Sequence, residues 1–191
     1  MAMRAVGLSK SFEGRAVIRD FSHRFPERGV VALVGRSGEG KTTLIRLLLG
    51  LAQPDSGYVE GVGRTGAVFQ EDRLIEHLTA VQNVALIGVE PSVALSHLAE
   101  LGLSDAAHQP VAAFSGGMKR RVALARAVAW PSSATLLDEP FTGMDAETRA
   151  AAAAYVRRHC ADRLVVVVSH DPEELRLLGA TSQIELKGDA P

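Results

Sequence analysis

One cysteine, Cys160, stands in 191 residues. No disulfide can therefore form within the chain, which suits a reducing compartment. No apolar run approaches the roughly 20 residues a membrane-spanning helix needs. The first residues carry no signal-peptide pattern, since Arg4 is followed by a polar stretch from Ser9 to Arg15. A formal net charge of −1 gives no global basic field to draw the chain to nucleic acid or an anionic membrane surface. No internal repeat and no low-complexity linker divides it. His77 and His97 have no partners at metal-ligand spacing, which leaves them as packed or solvated side chains. At 47% apolar and 23% charged, the composition is that of a globular protein. The length suits one domain with a small inserted lobe.

The densest chemistry lies in Gly35, Arg36, Ser37, Gly38, Glu39, Gly40, Lys41, Thr42 and Thr43. An apolar run, Val30 to Val34, enters this stretch, and Leu44 to Leu49 leaves it with helical character. Strand, Gly-x-x-x-x-Gly-Lys-Thr loop, helix is the context of a phosphate-binding loop. The glycines let the backbone come close to a ligand, and the free amides and the helix N-terminus converge on an anion. Lys41 adds a point charge for the β- and γ-phosphates, and the Thr42 hydroxyl can ligate magnesium. A nucleoside triphosphate follows from this; the use of its energy does not.

The spacing predicts two antiparallel strands over 2–8 and 16–25, with Glu13 and Gly14 as the turn. Phe12, just before it, reads locally as a half-buried strand aromatic, with a stacking platform for adenine as the alternative. A turn over 54–57 precedes a short strand near Tyr58. The run 66–70 reads as a buried strand ending at Gln70, which either terminates it or ligates magnesium or the attacking water. Residues 79–86 and 91–101 have helical spacing, with 72–77 as a surface loop, and form an inserted helical lobe. Ser115, Gly116, Gly117 and Met118 open a basic amphipathic helix that Ser115 can cap. Local pattern favours an ordinary capped helix with Lys119, Arg120 and Arg121 facing water, over a second anion site. A buried strand over 134–139 ends in Asp138 and Glu139, which alternation points in different directions, one to magnesium and one to the γ-phosphate. Gly143, Met144 and Asp145 lead into an alanine-rich helix over 146–159. A third parallel strand, 164–170, ends in His170. A helix with Glu173 and Glu174 in its first turn and a strand near 183–186 follow.

In this order and spacing the chain resembles the ATP-binding subunit of ABC transporters over nearly its whole length. Gly35 to Thr43 resembles the Walker A loop, Gln70 the Q-loop glutamine and Ser115-Gly116-Gly117 the family signature. Leu136 to Glu139 is similar to Walker B with its catalytic glutamate, Gly143 to Asp145 to the D-loop, and His170 to the switch histidine. Phe12 falls where the family places its adenine-stacking aromatic, which reverses the local reading. The resemblance implies an α/β P-loop NTPase core with a mostly parallel sheet, an N-terminal antiparallel β layer and a helical subdomain. Residues 1–191 form one domain, 1–70 and 119–191 the catalytic core and 71–118 the helical subdomain.

It also implies hydrolysis of ATP with Mg2+. The loop residues Gly35, Arg36, Ser37, Gly38, Gly40, Lys41, Thr42 and Thr43 hold the phosphates and Phe12 holds the base. Thr42, Gln70 and Asp138 hold the metal, Glu139 is the general base, and His170 contacts the γ-phosphate. Ser115, Gly116 and Gly117 act on the ATP of an opposite protomer, in a homodimer or with a paired ABC subunit. The implied partners are transmembrane permease subunits and an extracytoplasmic solute-binding protein, with no nucleic acid, and the place is peripheral on the cytoplasmic face of the cell membrane. Residues 68–74 and 78–84 are most similar to importer subunits for nitrate, sulfonate and taurine. Two departures stand out: Met118 where the signature usually has glutamine, and a short chain with a trimmed lobe and no C-terminal regulatory domain. A soluble ABC ATPase acting on DNA or ribosomes would predict coiled-coil insertions or tandem cassettes, and a P-loop kinase would need an acceptor lid in place of the Ser-Gly-Gly helix.

Overall fold

The computed structural model describes residues 2–36 and 38–186. Two sheets meet across a shared core. The first is antiparallel, in the order β2-β1-β4, from β1 (Arg4–Phe12), β2 (Arg15–Arg24) and β4 (Ser56–Glu60). The second is parallel, in the order β5-β6-β7-β3-β8, from β3 (Gly29–Val34), β5 (Thr65–Val68), β6 (Ala134–Asp138), β7 (Leu164–Val168) and β8 (Ser182–Glu185). Every residue of β6 and β7 is buried. That explains why β7 is wholly apolar and β6 is apolar but for Thr135 and Asp138, since a central parallel strand is covered on both faces.

Strand alternation divides the interior in two. Val31 and Leu33 of β3, with Val166 and Val168 of β7, face a core shared with α1 (Lys41–Leu48) and with Met3, Ala5, Leu8, Ile18 and Phe25. Ala32, Val165 and Val167 face the other core. There they meet α4 (Gly116–Ala129) and α5 (Ala146–His159), and Leu175 and Leu178 of α6 (Pro172–Leu178). The same core takes in α2 (Ala80–Ala85) and α3 (Pro91–Glu100) through Val84, Ala94 and Leu98.

Local chemistry fixes the boundaries. Thr79 and Gln82 form a reciprocal capping box on α2. Ser115 caps α4, Asp145 caps α5 and Asp171 caps α6, each through its side chain. Pro91 occupies the first turn of α3. Residues 72–77 are irregular, and buried Asn83 pins them, donating to the carbonyls of Ile75 and Leu78 and accepting from the Ile75 amide. The seam between α3 and α5 is polar as well as packed. His97 Nδ1 lies 2.7 Å from the buried Tyr155 hydroxyl, and His159 Nε2 lies 3.0 Å from the Glu100 carboxylate.

Candidate functional site

β3, β6 and β7 are neighbours in the sheet and all run the same way, so their carboxyl ends deliver three segments to one edge. Gly40 ends the phosphate loop as the N-cap of α1 with φ 89°. A side chain there would be strained, and its Cβ would stand 2.7 Å from Val17 Cγ1. Behind it Lys41 is buried, and its ammonium donates to the carbonyls of Gly35 and Arg36, both at 2.7 Å. The Arg36 amide donates to the Glu39 carboxylate, and the Glu39 amide returns to the Arg36 carbonyl at 3.3 Å. Ser37 lies outside the described residues.

The cleft above this loop holds about 260 Å³. Gly38, Gly40, Lys41, Thr42, Thr43, Gln70, Glu139 and His170 line it, with Val17 and Val168. These residues come from separate stretches of the sequence. Asp138 is fully buried at the end of β6, and its Oδ2 accepts the Thr42 hydroxyl at 2.7 Å. Its Oδ1 is buried with no hydrogen-bond partner. Burial pushes the Asp138 carboxyl up; the Thr42 hydrogen bond and the charges of Arg120, Arg46 and Lys41 oppose that. An orphaned carboxylate oxygen beside a threonine hydroxyl, with the Gln70 side chain lining the same cleft as that threonine, offers oxygen donors. These fit a hard divalent cation such as magnesium.

Glu139 departs from the expected geometry. β6 ends at Asp138, and Glu139 has φ 51°, in the left-handed region. The two acids diverge because of that turn, not because a strand continues through both. The Glu139 amide donates to the Val168 carbonyl at 2.9 Å, which ties the turn to β7. Its Oε1 stands 3.2 Å from His170 Nε2, at ion-pair distance but without hydrogen-bond alignment. Burial pushes the Glu139 carboxyl up, His170 pulls it down, and Glu174 and Asp138 raise it further. A carboxylate whose charged form is disfavoured is a stronger base.

Behind His170 lies a network that spacing alone does not single out. The buried Ser169 hydroxyl donates to Glu174 Oε2 at 2.5 Å and accepts from the Asp171 amide at 3.1 Å. Arg149 of α5 reaches Asp171 at 2.6 Å. In the sequence Glu174 reads as a first-turn helix acid; nothing in its spacing marks it as buried.

The second candidate anion site stands apart. Ser115, Gly116 and Gly117 open α4, and none of them lines the cleft. Ser115 Oγ accepts the Met118 amide at 3.3 Å. Gly117 packs on the loop before α5, where an added Cβ would stand 2.6 Å from the Gly143 carbonyl. Met118 is partly buried against the core shared by the lobe and the sheet. Of the three basic residues expected on a wet face, Arg120 is not there: its side chain is 5% exposed and pairs with Asp72. Phe12 is half exposed at the end of β1 and outside the cleft, with Lys10 Nζ 5.5 Å from its ring centroid.

Comparison with known proteins follows the same lines. The ABC transporter family matches residues 18–142. The chain is 41% identical over 180 residues to the aliphatic sulfonates import ATP-binding protein SsuB 3 of Paraburkholderia xenovorans, covering 91% of this chain and 72% of that one. It is 43% identical over 179 residues to SsuB 2 of Frankia alni, again covering 91% and 72%. Among solved structures, a dimeric post-hydrolysis state of the ATP-binding cassette MJ0796 bound to ADP and Pi superposes with a TM-score of 0.87. That match covers 97% of this chain and 94% of the other at 26% identity.

Proposed function

The chain belongs to the ABC transporter family, and from that premise we propose how its residues bind and hydrolyse ATP to drive import. It is the ATP-hydrolysing subunit of an importer. The observation that carries the residue roles is the meeting of Lys41, the Thr42–Asp138 pair and the Glu139–His170 pair at the ends of three adjacent strands. Lys41 leaves the carbonyls of Gly35 and Arg36 for the β- and γ-phosphates, joined by the amides of Gly38, Gly40, Thr42 and Thr43. Thr42, Asp138 and Gln70 would hold magnesium, which when bound supplies charge neutralisation on the phosphates. Glu139 takes the proton of the attacking water, and His170 donates to the γ-phosphate. Phe12 holds the adenine by its face.

Residues 1–70 and 119–191 act as the catalytic core and 71–118 as the helical subdomain of one domain. Ser115, Gly116 and Gly117 complete the ATP site of a second protomer. Two such head-to-tail contacts close a two-fold pair, so ATP is part of the interface and dimerisation is linked to nucleotide. The pair works on permease subunits from the cytoplasmic face, where an extracytoplasmic solute-binding protein delivers solute on the other side. No helix among the described residues is long and apolar enough to cross a membrane. The names of the aligned relatives favour aliphatic sulfonates as the solute class.

The test is sedimentation of Glu139→Gln across a concentration series. It is expected to run as a dimer with ATP and magnesium and as a monomer with ADP. Ser115→Arg in that background abolishes the dimer and leaves ATP binding by the monomer near normal. A monomer hydrolysing ATP at a concentration-independent specific activity, indifferent to Ser115→Arg, overturns the shared site.

A further inference from the structure

We propose that Arg120 is a positioning residue for Gln70, holding the segment after β5 by its carbonyl oxygens from the helix that Ser115 opens. The inference rests on the role given to Gln70 above. β5 ends at Val68, and the chain then crosses the cleft edge to the helical lobe. Over this crossing the carbonyls of Gln70, Asp72 and Arg73 accept from no backbone amide among the described residues. Two guanidinium groups of α4 take them instead. Arg120 donates through Nη1 to the Phe69 carbonyl and through Nη2 to the Gln70 carbonyl at 2.8 Å. Arg126 donates to the carbonyls of Asp72 at 2.9 Å and Arg73 at 2.8 Å. The Arg120 Nη1 also stands 3.1 Å from Asp72 Oδ1, an ion pair off hydrogen-bond alignment.

The geometry requires arginine. Two successive carbonyls and a carboxylate are met by one planar fork with five donors, which the point charge of a lysine cannot span. A guanidinium this buried has no water to fall back on, so its orientation is set by these partners. Gln70 reaches the cleft only as far as its own backbone is placed, and that backbone hangs on α4. A displacement of α4 therefore moves the Gln70 amide relative to Lys41 and Glu139. Displacements on the ångström scale at a catalytic site cost about 10²-fold in rate.

The experiment compares Arg120→Lys, Gln70→Ala and the double variant. Each is measured by steady-state ATP hydrolysis and, without nucleotide, by hydrogen exchange resolved to the segment 69–74. Arg120→Lys is expected to lower kcat by about 10- to 100-fold while KM for ATP moves less than about threefold, since Lys41 and Phe12 are untouched. The double variant falls no further than Gln70→Ala alone, because the two changes remove one function. Exchange quickens over 69–74 and stays unchanged in β6 and β7, which shows that the variant is folded. Unchanged exchange over 69–74 overturns the clamp, and additive losses in the double variant overturn its action through Gln70. If Gln70→Ala is itself inert, the assignment of Gln70 fails, the kinetic claim falls with it, and exchange alone decides the clamp.

Discussion

Glu139→Gln is expected to make this protein a slower enzyme and a more stable one, from a single cause. The Glu139 carboxylate is held in a cleft where burial disfavours its charge, and one oxygen has no hydrogen bond. Leaving a buried polar group unsatisfied costs about 1–3 kcal/mol, more when it is charged. The attraction to His170 offsets little of this. His170 is 58% exposed, and ion pairs in contact with solvent are worth about 0.2–1 kcal/mol. The neutral amide escapes the burial cost and gives up only the weaker attraction to His170. In nucleotide-free protein with chelator at pH 8 the variant gains about 1–2 kcal/mol. For a chain of this length that raises Tm by about 2–8 °C, at roughly 2–4 °C per kcal/mol.

The pH dependence has a definite sign. The folded carboxyl titrates above its ordinary 4.5. Between those two values the native state keeps a proton that the unfolded chain has released, so wild-type stability falls as pH rises through that window. The advantage of the variant is therefore larger at pH 8 than at acid pH, shrinks as pH falls through the folded value and is gone below about 4.5. Turnover with ATP and magnesium drops by about 10²–10⁴, the usual loss on removing a general base. Calorimetry at pH 8 and pH 4.5 checks the first claim and steady-state hydrolysis the second. A Tm at pH 8 equal to or below wild type refutes the burial argument. A rate within threefold of wild type removes Glu139 from the proton transfer.

Phe12→Ala is expected to weaken ATP binding by about 1–3 kcal/mol, taking base–aromatic stacking as the guide, while Phe12→Tyr stays near neutral. Because Phe12 is half exposed, truncation spares the fold, and unchanged affinity by calorimetric titration returns it to a surface aromatic. Gly117→Ala places a methyl 2.6 Å from the Gly143 carbonyl, and forcing them apart costs about 1–3 kcal/mol of stability; a denaturant midpoint equal to wild type refutes that contact. Burial, with the neighbouring His159, holds His97 below its ordinary 6.5. The folded state thus keeps it neutral where the unfolded chain takes a proton, and stability declines as pH falls from about 6.5. His97→Gln flattens part of that decline, and an unaltered slope of Tm between pH 7.5 and 5.5 counts against it.

The cleft residues legible in the sequence share one property: they sit at or just past the carboxyl end of a parallel strand. Asp138 and His170 stand at the ends of β6 and β7 and Lys41 follows β3 through the glycine loop, and chemistry placed there has one destination in a parallel sheet. Arg120 is not legible. A basic run on a helix spreads over every face, and only the partner carbonyls of Phe69 and Gln70, about fifty positions away, decide which guanidinium is buried. Glu174 escapes notice for the same reason, since Ser169 has to be in place before a first-turn acid becomes an internal acceptor. Met118 reads as a lost polar contact when the motif is taken as a surface, whereas its side chain serves the core beneath. The edge strand β4 joins β1 and not the parallel sheet, a non-local choice that no window around Tyr58 contains.

The position of β3 between β7 and β8 also governs how the chain is born. The strand that carries the phosphate loop is synthesised early, yet both strands that hydrogen-bond to it begin at Leu164 or later. At about 5–20 residues per second, an apolar segment with two open edges waits on the order of ten seconds for its neighbours. During that interval it is the part of the nascent polypeptide most open to pairing with another chain. The nucleotide site is incomplete throughout, because His170 and, for most of the interval, Asp138 and Glu139 are also still to come. The strand that carries the phosphate loop is thus paired on both sides only when the last strands of the sheet arrive, and the nucleotide site is completed in the same stretch of synthesis.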